Sequence, residues 1–230
     1  MPRLRHRLRT YRDRLALQLA GREAMAQLAV MGLVTGVLAG GIVVLFRLVV
    51  EMSQAAYLPG GAADAFASLD PWLRLVVATL GGLLVGLIFH QLAPRNRQVG
   101  IVHVIERLAY HQAHLPLRNM VLQFIGGALS LASGHSVGRE GPSVHLGAAA
   151  GSQLGLGIGL PNNSIRTLVG CGSAAAIAAS FNTPIAGVIF AMEVILMEYT
   201  IAGFMPVILA AVAGAVVSQM VFGADTTFSV

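Results

Sequence analysis

From Ala26 to Val50 the chain carries a single charged side chain, Arg47. A helix of that length crosses the hydrocarbon core of a bilayer, which takes about 20 residues. It also closes its backbone hydrogen bonds within itself, as lipid demands. The run from Pro71 to His90 repeats the pattern, with Pro71 suited to the first turn of a helix. Composition agrees: 56% of the residues are hydrophobic and 11% charged, where soluble domains carry roughly 25% charged residues. The 27 glycines fit as well, because membrane helices tolerate glycine and use it for close packing. The expected fold class is all-α, a polytopic membrane protein with the lipid bilayer as its solvent. At about 20 residues per span the length admits roughly six to nine crossings.

The formal charge of +5 comes from arginine alone, since the chain has no lysine. Arg3, Arg5, Arg7, Arg9, Arg12 and Arg14 crowd the N-terminus and Arg22 follows. A basic run can bind nucleic acid, but this one adjoins a long apolar segment, which argues against a nucleic-acid partner. Residues 1–24 are expected to form a basic cytoplasmic helix at the membrane surface, and residues 25–230 a transmembrane domain. A signal peptide is disfavoured, because the apolar stretch is too long and lacks a clean cleavage site. Glu51 to Asp70 holds acidic residues and no basic one, so it reads as a non-cytoplasmic loop. Arg95 and Arg97 then return the chain to the cytoplasm, consistent with an N-terminus inside a cell (plasma or inner) membrane.

Gly32, Gly36 and Gly40 recur every four residues and predict a packing seam on one face of the first span. Ile101 to His111 is amphipathic and too short to cross. Leu115 to Ser133 is apolar enough to span. Beyond it lie apolar segments of about 8 to 16 residues separated by Gly, Pro or Asn, and non-helical backbone at membrane depth is tolerated around a cavity or pathway. The breaks fall at Ala132 to Gly147, at Pro161-Asn162-Asn163, with Asn163 or Ser164 as the expected cap, and at Phe181-Asn182-Thr183-Pro184. Tilted packing helices with no pathway are the alternative. Glu193 and Glu198 flank a short polar turn, and Phe204 to Phe222 is the last span.

The segment Gly134 to Ser143 reads Gly-His-Ser-Val-Gly-Arg-Glu-Gly-Pro-Ser. Pro142 fits a first helical turn, where its missing N–H costs nothing. Gly138 and Gly141 leave the backbone open to close approach. Such a helix end carries about half a positive charge and unpaired N–H donors, which suits an anion. Those donors replace lost hydration without a full cation that would trap the ion. Glu140 is the candidate gate: as an anion it occupies the place a permeant anion wants, and protonation releases it. A structural ion pair of Glu140 with Arg139 is the competing reading, and Arg139 otherwise shapes the local field.

Gly138-Arg139-Glu140-Gly141-Pro142 resembles the Gly-Lys/Arg-Glu-Gly-Pro signature of the CLC chloride channels and transporters. The likeness extends through Ala174 to Glu193, with Phe181-Asn182-Thr183-Pro184, Ala186-Gly187 and Phe190 in the family's order. It implies one repeat of the CLC inverted-repeat fold, with broken, tilted helices. It implies that Glu140 is the gating glutamate and that backbone amides near Gly138, Arg139 and Gly141 coordinate chloride. Phe181, Asn182 and Pro184 mark a helix break along the pathway, and the protein is expected to be a homodimer. The family pattern closes with a second repeat that does not follow here, so a truncated chain, inactive or acting as a scaffold, is a further expectation.

Where the family has Gly-Ser-Gly-Ile-Pro, this chain has Gln98-Val99-Gly100-Ile101-Val102. Val99 stands in the place of the anion-coordinating serine, leaving the amides of Gly100 and Ile101 as donors. Exchangers of the family commonly carry two adjacent glutamates where this chain has Glu193-Val194, and valine carries no proton. The expected function is therefore a voltage-gated-type chloride channel, with a proton-coupled antiporter as the alternative. His103, His111 and His114 cluster without a carboxylate to complete a ligand set, so no metal and no cofactor are expected. His135 could tune the proton affinity of Glu140 from the same loop. Cys171 and Ser173 lie in an alanine-rich segment without a nearby histidine, which argues against an enzyme.

Overall fold

The computed structural model describes residues 24–58, 66 and 69–223. The basic segment expected over residues 1–24 lies outside them, apart from Ala24. Eight α-helices follow in order among the described residues. These are α1 (Ala24–Ala55), α2 (Pro71–His90), α3 (Gly100–Tyr110), α4 (Leu117–Ala132), α5 (Glu140–Ile158), α6 (Asn162–Phe181), α7 (Pro184–Phe190) and α8 (Ile201–Phe222). α7 runs on into a π-helical turn, Ala191–Leu196, ended by Met197 in the left-handed region. No strand occurs among the described residues. α1, α2, α6 and α8 are long and apolar enough to cross a membrane.

The glycine seam of α1 forms as expected, and its partner is α8. A Cβ on Gly32 would stand 2.5 Å from Pro206 O, one on Gly36 2.4 Å from Ala210 O, and one on Gly40 2.9 Å from Gly214 Cα. Both helices advance by four residues at each step, so they run parallel with their backbones in contact.

A second seam joins α5 to α6. Cβ atoms on Gly147, Gly151 and Gly155 would meet Gly172 O, Leu168 O and Ile165 Cγ1 in turn. The partner's numbers fall as those of α5 rise, so this pair is antiparallel. The C-terminal end of α6 thereby comes beside the N-terminal end of α5. On its other sides α6 meets Gly187 of α7 and Gly214 of α8, through the carbonyls of Ala174 and Ala175.

Asp70 caps α2 by accepting from Trp72 N at 2.8 Å, with Pro71 at the first helical position. α6 begins earlier than the expected cap at Asn163 or Ser164. Pro161 precedes it in extended conformation and its carbonyl accepts from Ile165 N at 3.1 Å, so no side-chain cap forms. The last span likewise begins ahead of Phe204, with Thr200 accepting from Gly203 N. The turn after α3 holds Gln112 and Ala113 at positive φ. That turn is held to α5 by Ser152, whose hydroxyl donates to Ala113 O at 2.6 Å and accepts from Leu115 N at 3.0 Å.

Candidate functional site

α5 begins on Glu140, and Arg139 before it provides no side-chain cap. The helix thus starts where the glycine and proline spacing predicted, and it starts without a side-chain cap. The Glu140 carboxylate folds back over Gly138, whose built Cβ would overlap Glu140 Oε2 at 1.9 Å. Glu140 and Gly138 are exposed, while Arg139 and Gly141 are half-buried. Arg139 forms no ion pair with any described residue; among the described residues, ion pairs join Arg47 to Glu51 at 2.6 Å and Arg166 to Glu198 at 3.5 Å.

α3 offers a second uncapped helix end. Val99 precedes it in extended conformation with no side-chain cap, and Gly100 sits at φ +86°. Val99, Gly100 and Ile101 are half-buried. The N-terminal turns of α3 and α5 are tied together by His103 and His145, with His103 Nδ1 and His145 Nε2 3.1 Å apart. Arg107 Nε donates to His103 Nε2 at 3.1 Å. An Nε2 that accepts places the ring hydrogen on His103 Nδ1, which then donates to His145. Both imidazoles are neutral in this arrangement. The pair is buried, and it serves to hold two helix tips at one level.

The break after α6 joins the same region. Asn182 adopts the left-handed conformation at φ 55° and Pro184 opens α7. Asn182 Oδ1 accepts from Gln219 Nε2 of α8 at 2.6 Å. Because α6 is antiparallel to α5, Phe181 and Asn182 stand near the tip of α5. Between these ends and α1 lies a cavity of about 280 Å³, lined by Arg47, Glu51, Gln54, Arg139, Ser143 and Ser180 among others. The cavity thus joins the start of α5 and the end of α6 to α1, while α3 meets α5 through the His103–His145 pair.

His135 turns elsewhere. Its Nδ1 lies 3.2 Å from Ser130 O, and its ring faces Gly82 of α2. Residues here for which the sequence suggested no role are His145, Asn119 and Gln123, and His103, there considered only as part of an incomplete metal cluster, joins them. The signal for Asn119 and Gln123 is present: polar side chains one turn apart within an apolar helix are costly and point inward.

The family model for the voltage gated chloride channel matches residues 81–230. The chain is 34% identical over 173 residues to a ClcB-like protein of Ralstonia nicotianae, covering 74% of this chain and 40% of that one. It is 29% identical over 197 residues to the voltage-gated ClC-type chloride channel ClcB of Escherichia coli, covering 84% of this chain and 47% of that one. Among solved structures, a CLC-type fluoride/proton antiporter matches with TM-score 0.72 and 28% identity, over 88% of this chain and 48% of the other. A slow cyanobacterial Cl−/H+ antiporter matches with TM-score 0.69 and 26% identity, over 86% and 48%. The chain spans less than half the length of these relatives. With its all-helical bundle, its Gly-Arg-Glu-Gly-Pro helix start and these matches, the chain belongs to the voltage gated chloride channel family.

Proposed function

We propose that this chain supplies the first inverted repeat of a chloride conduit in the cell membrane, with Glu140 as its gate. The observation that carries the reading is the start of α5: an uncapped helix end whose first residue is a carboxylate lying over Gly138. A helix end holds a carboxylate with up to about 2 kcal/mol, enough to compete with an anion and little enough to be released on protonation. The amides near Gly138, Arg139 and Gly141 and those of Gly100 and Ile101 beside Val99 are the donors. Phe181, Asn182 and Pro184 border the pathway. Passive, voltage-gated conduction is supported by Val194, which cannot relay a proton beside Glu193. The protein acts as a homodimer with its N-terminus in the cytoplasm.

A proton-coupled antiporter is the second reading, favoured by the solved neighbours, which are antiporters. Reconstitution of the full reading frame in liposomes separates the two. Chloride efflux is expected to run to Nernst equilibrium, with no uphill proton movement under a chloride gradient. Glu140→Gln, which fixes the gate in its neutral form, is expected to abolish the pH dependence of efflux and to change its rate at neutral pH roughly tenfold. Uphill proton flux would establish the antiporter. An efflux indifferent to Glu140→Gln would remove Glu140 from the gate.

A further inference from the structure

One polar side chain stands between the two helix tips with nothing to bind. Gln123 of α4 is 7% exposed, and its Oε1 is buried without a hydrogen-bond partner. Its neighbours one turn away on the same face show where it points. Asn119 Nδ2 donates to Gln98 O at 2.7 Å, fastening the approach to α3. A Cβ on Gly127 would stand 3.1 Å from Pro142 Cβ, in the first turn of α5. Between these contacts, Gln123 Oε1 lies 4.0 Å from the position a Cβ on Gly100 would take. The α4 face therefore touches the tip of α3 at one end and the tip of α5 at the other, with a bare carboxamide in the middle.

A buried amide left unpaired costs about 1 to 3 kcal/mol, and nearly all buried polar groups in folded proteins have a partner. Several groups near Gln123 are themselves donors: Val99 gives α3 no side-chain cap, so its first N–H groups are open. The carboxamide can turn by half a rotation to present its two Nε2 hydrogens instead of its oxygen. In that orientation it joins the α3 amides as one converging set of donors. The set is uncharged and sits on the positive end of a helix. A monovalent anion fits it, and a cation does not.

We propose that Gln123 is a side-chain ligand for the permeating anion at the α3 tip, and that it sets selectivity among anions. This deepens the chloride-conduit reading and rests on it. An amide donor rewards small, strongly accepting ions such as chloride over weakly accepting ones such as thiocyanate, because its contribution scales with the strength of the hydrogen bond it makes.

The test uses the full reading frame in liposomes, comparing chloride with thiocyanate flux, together with chloride titration of the detergent-purified protein. Gln123→Leu is expected to lower chloride affinity roughly tenfold, the scale of one hydrogen bond to a charged group. It is also expected to reduce the chloride-to-thiocyanate flux ratio, with the melting temperature unchanged or raised, since an unpaired buried polar group is removed. Gln123→Glu is expected to stop chloride flux at neutral pH and to regain it as acid neutralises the new carboxylate. Gln123→Met, which keeps length and volume, gives the same reading should the leucine variant not fold. A folded Gln123→Leu or Gln123→Met protein with unchanged affinity and flux ratio would overturn this role and leave the Glu140 gate standing. An unsubstituted protein that passes no anion would overturn both.

Discussion

α6 and α2 are both 20 residues long, and both are apolar enough to cross a membrane. Along their most apolar stretches, 83% of α6 is buried against 6% of α2. The buried helix is the less greasy of the two. α6 is built of Gly170, Gly172, Ala174, Ala175, Ala176, Ala178 and Ala179 with Ser173 and Ser180 among them, whereas α2 turns Leu73, Leu75, Leu80, Leu83, Leu84 and Leu87 outward. In water the order would be reversed, since the hydrophobic effect drives large apolar groups inside. In lipid there is no such drive between helices, and close backbone contact between small residues takes its place. Hydropathy in this chain therefore reports what a helix shows to its surroundings, and small-residue content reports what it packs against.

The sharpest way to break that comparison is to add volume where the backbones touch. A Cβ on Gly172 would stand 1.9 Å from Gly147 O, and neither main chain can move without shifting its helix. Overpacking in ordinary cores costs about 1 to 3 kcal/mol, so with backbone on both sides Gly172→Val is expected to destabilise by about 4 kcal/mol, in the upper tail for single substitutions. Detergent unfolding followed by circular dichroism measures it. A loss below about 1 kcal/mol would mean that α5 and α6 do not meet at this seam.

The same contrast explains what could be read in advance. The Gly32, Gly36 and Gly40 seam was legible because its spacing stands out in an otherwise bulky helix, and only its partner, α8, had to come from the structure. The start of α5 was legible from local chemistry: glycine, glutamate and proline each have a reason to be at a helix end. The helix break at Asn182 was legible for the same reason. The α5–α6 seam carries an identical spacing at Gly147, Gly151 and Gly155, but in helices buried on every side it has no polar face to set it off. The His103–His145 pair joins residues 42 apart in the chain, and no local pattern encodes a contact of that separation. Gln123 was hidden differently, since its meaning lies in what it fails to bind.

A second prediction moves the comparison to the outward face. Leu80 is 53% exposed near the middle of α2. On a soluble protein, arginine at such a position would change stability by about 0.5 kcal/mol or less. Facing lipid at mid-depth, Leu80→Arg is expected to weaken membrane insertion by about 3 kcal/mol. A glycosylation-reporter insertion assay on α2 reads this directly. A small effect would place that face of α2 in water and remove the helix from the membrane-spanning set.

The smallest effect tests one glycine that touches nothing, because Gly86 of α2 differs in this from Gly81 on the same helix and from the seam glycines of α6. Gly86 on α2 is exposed, and a Cβ built there meets no atom within 4 Å. With no backbone to accommodate, only helix propensity remains, and Gly86→Ala is expected to stabilise by about 0.5 to 1 kcal/mol. The gain falls toward zero if the unfolded reference in detergent keeps α2 helical, so both outcomes agree with an open face. A loss of more than about 1 kcal/mol would be a different matter, since a single methyl group can cost that much only by striking a neighbour. It would mean that in the assembled protein another helix lies against Gly86, and that α2 is packed by the same small-residue rule as α6 and not set apart from it.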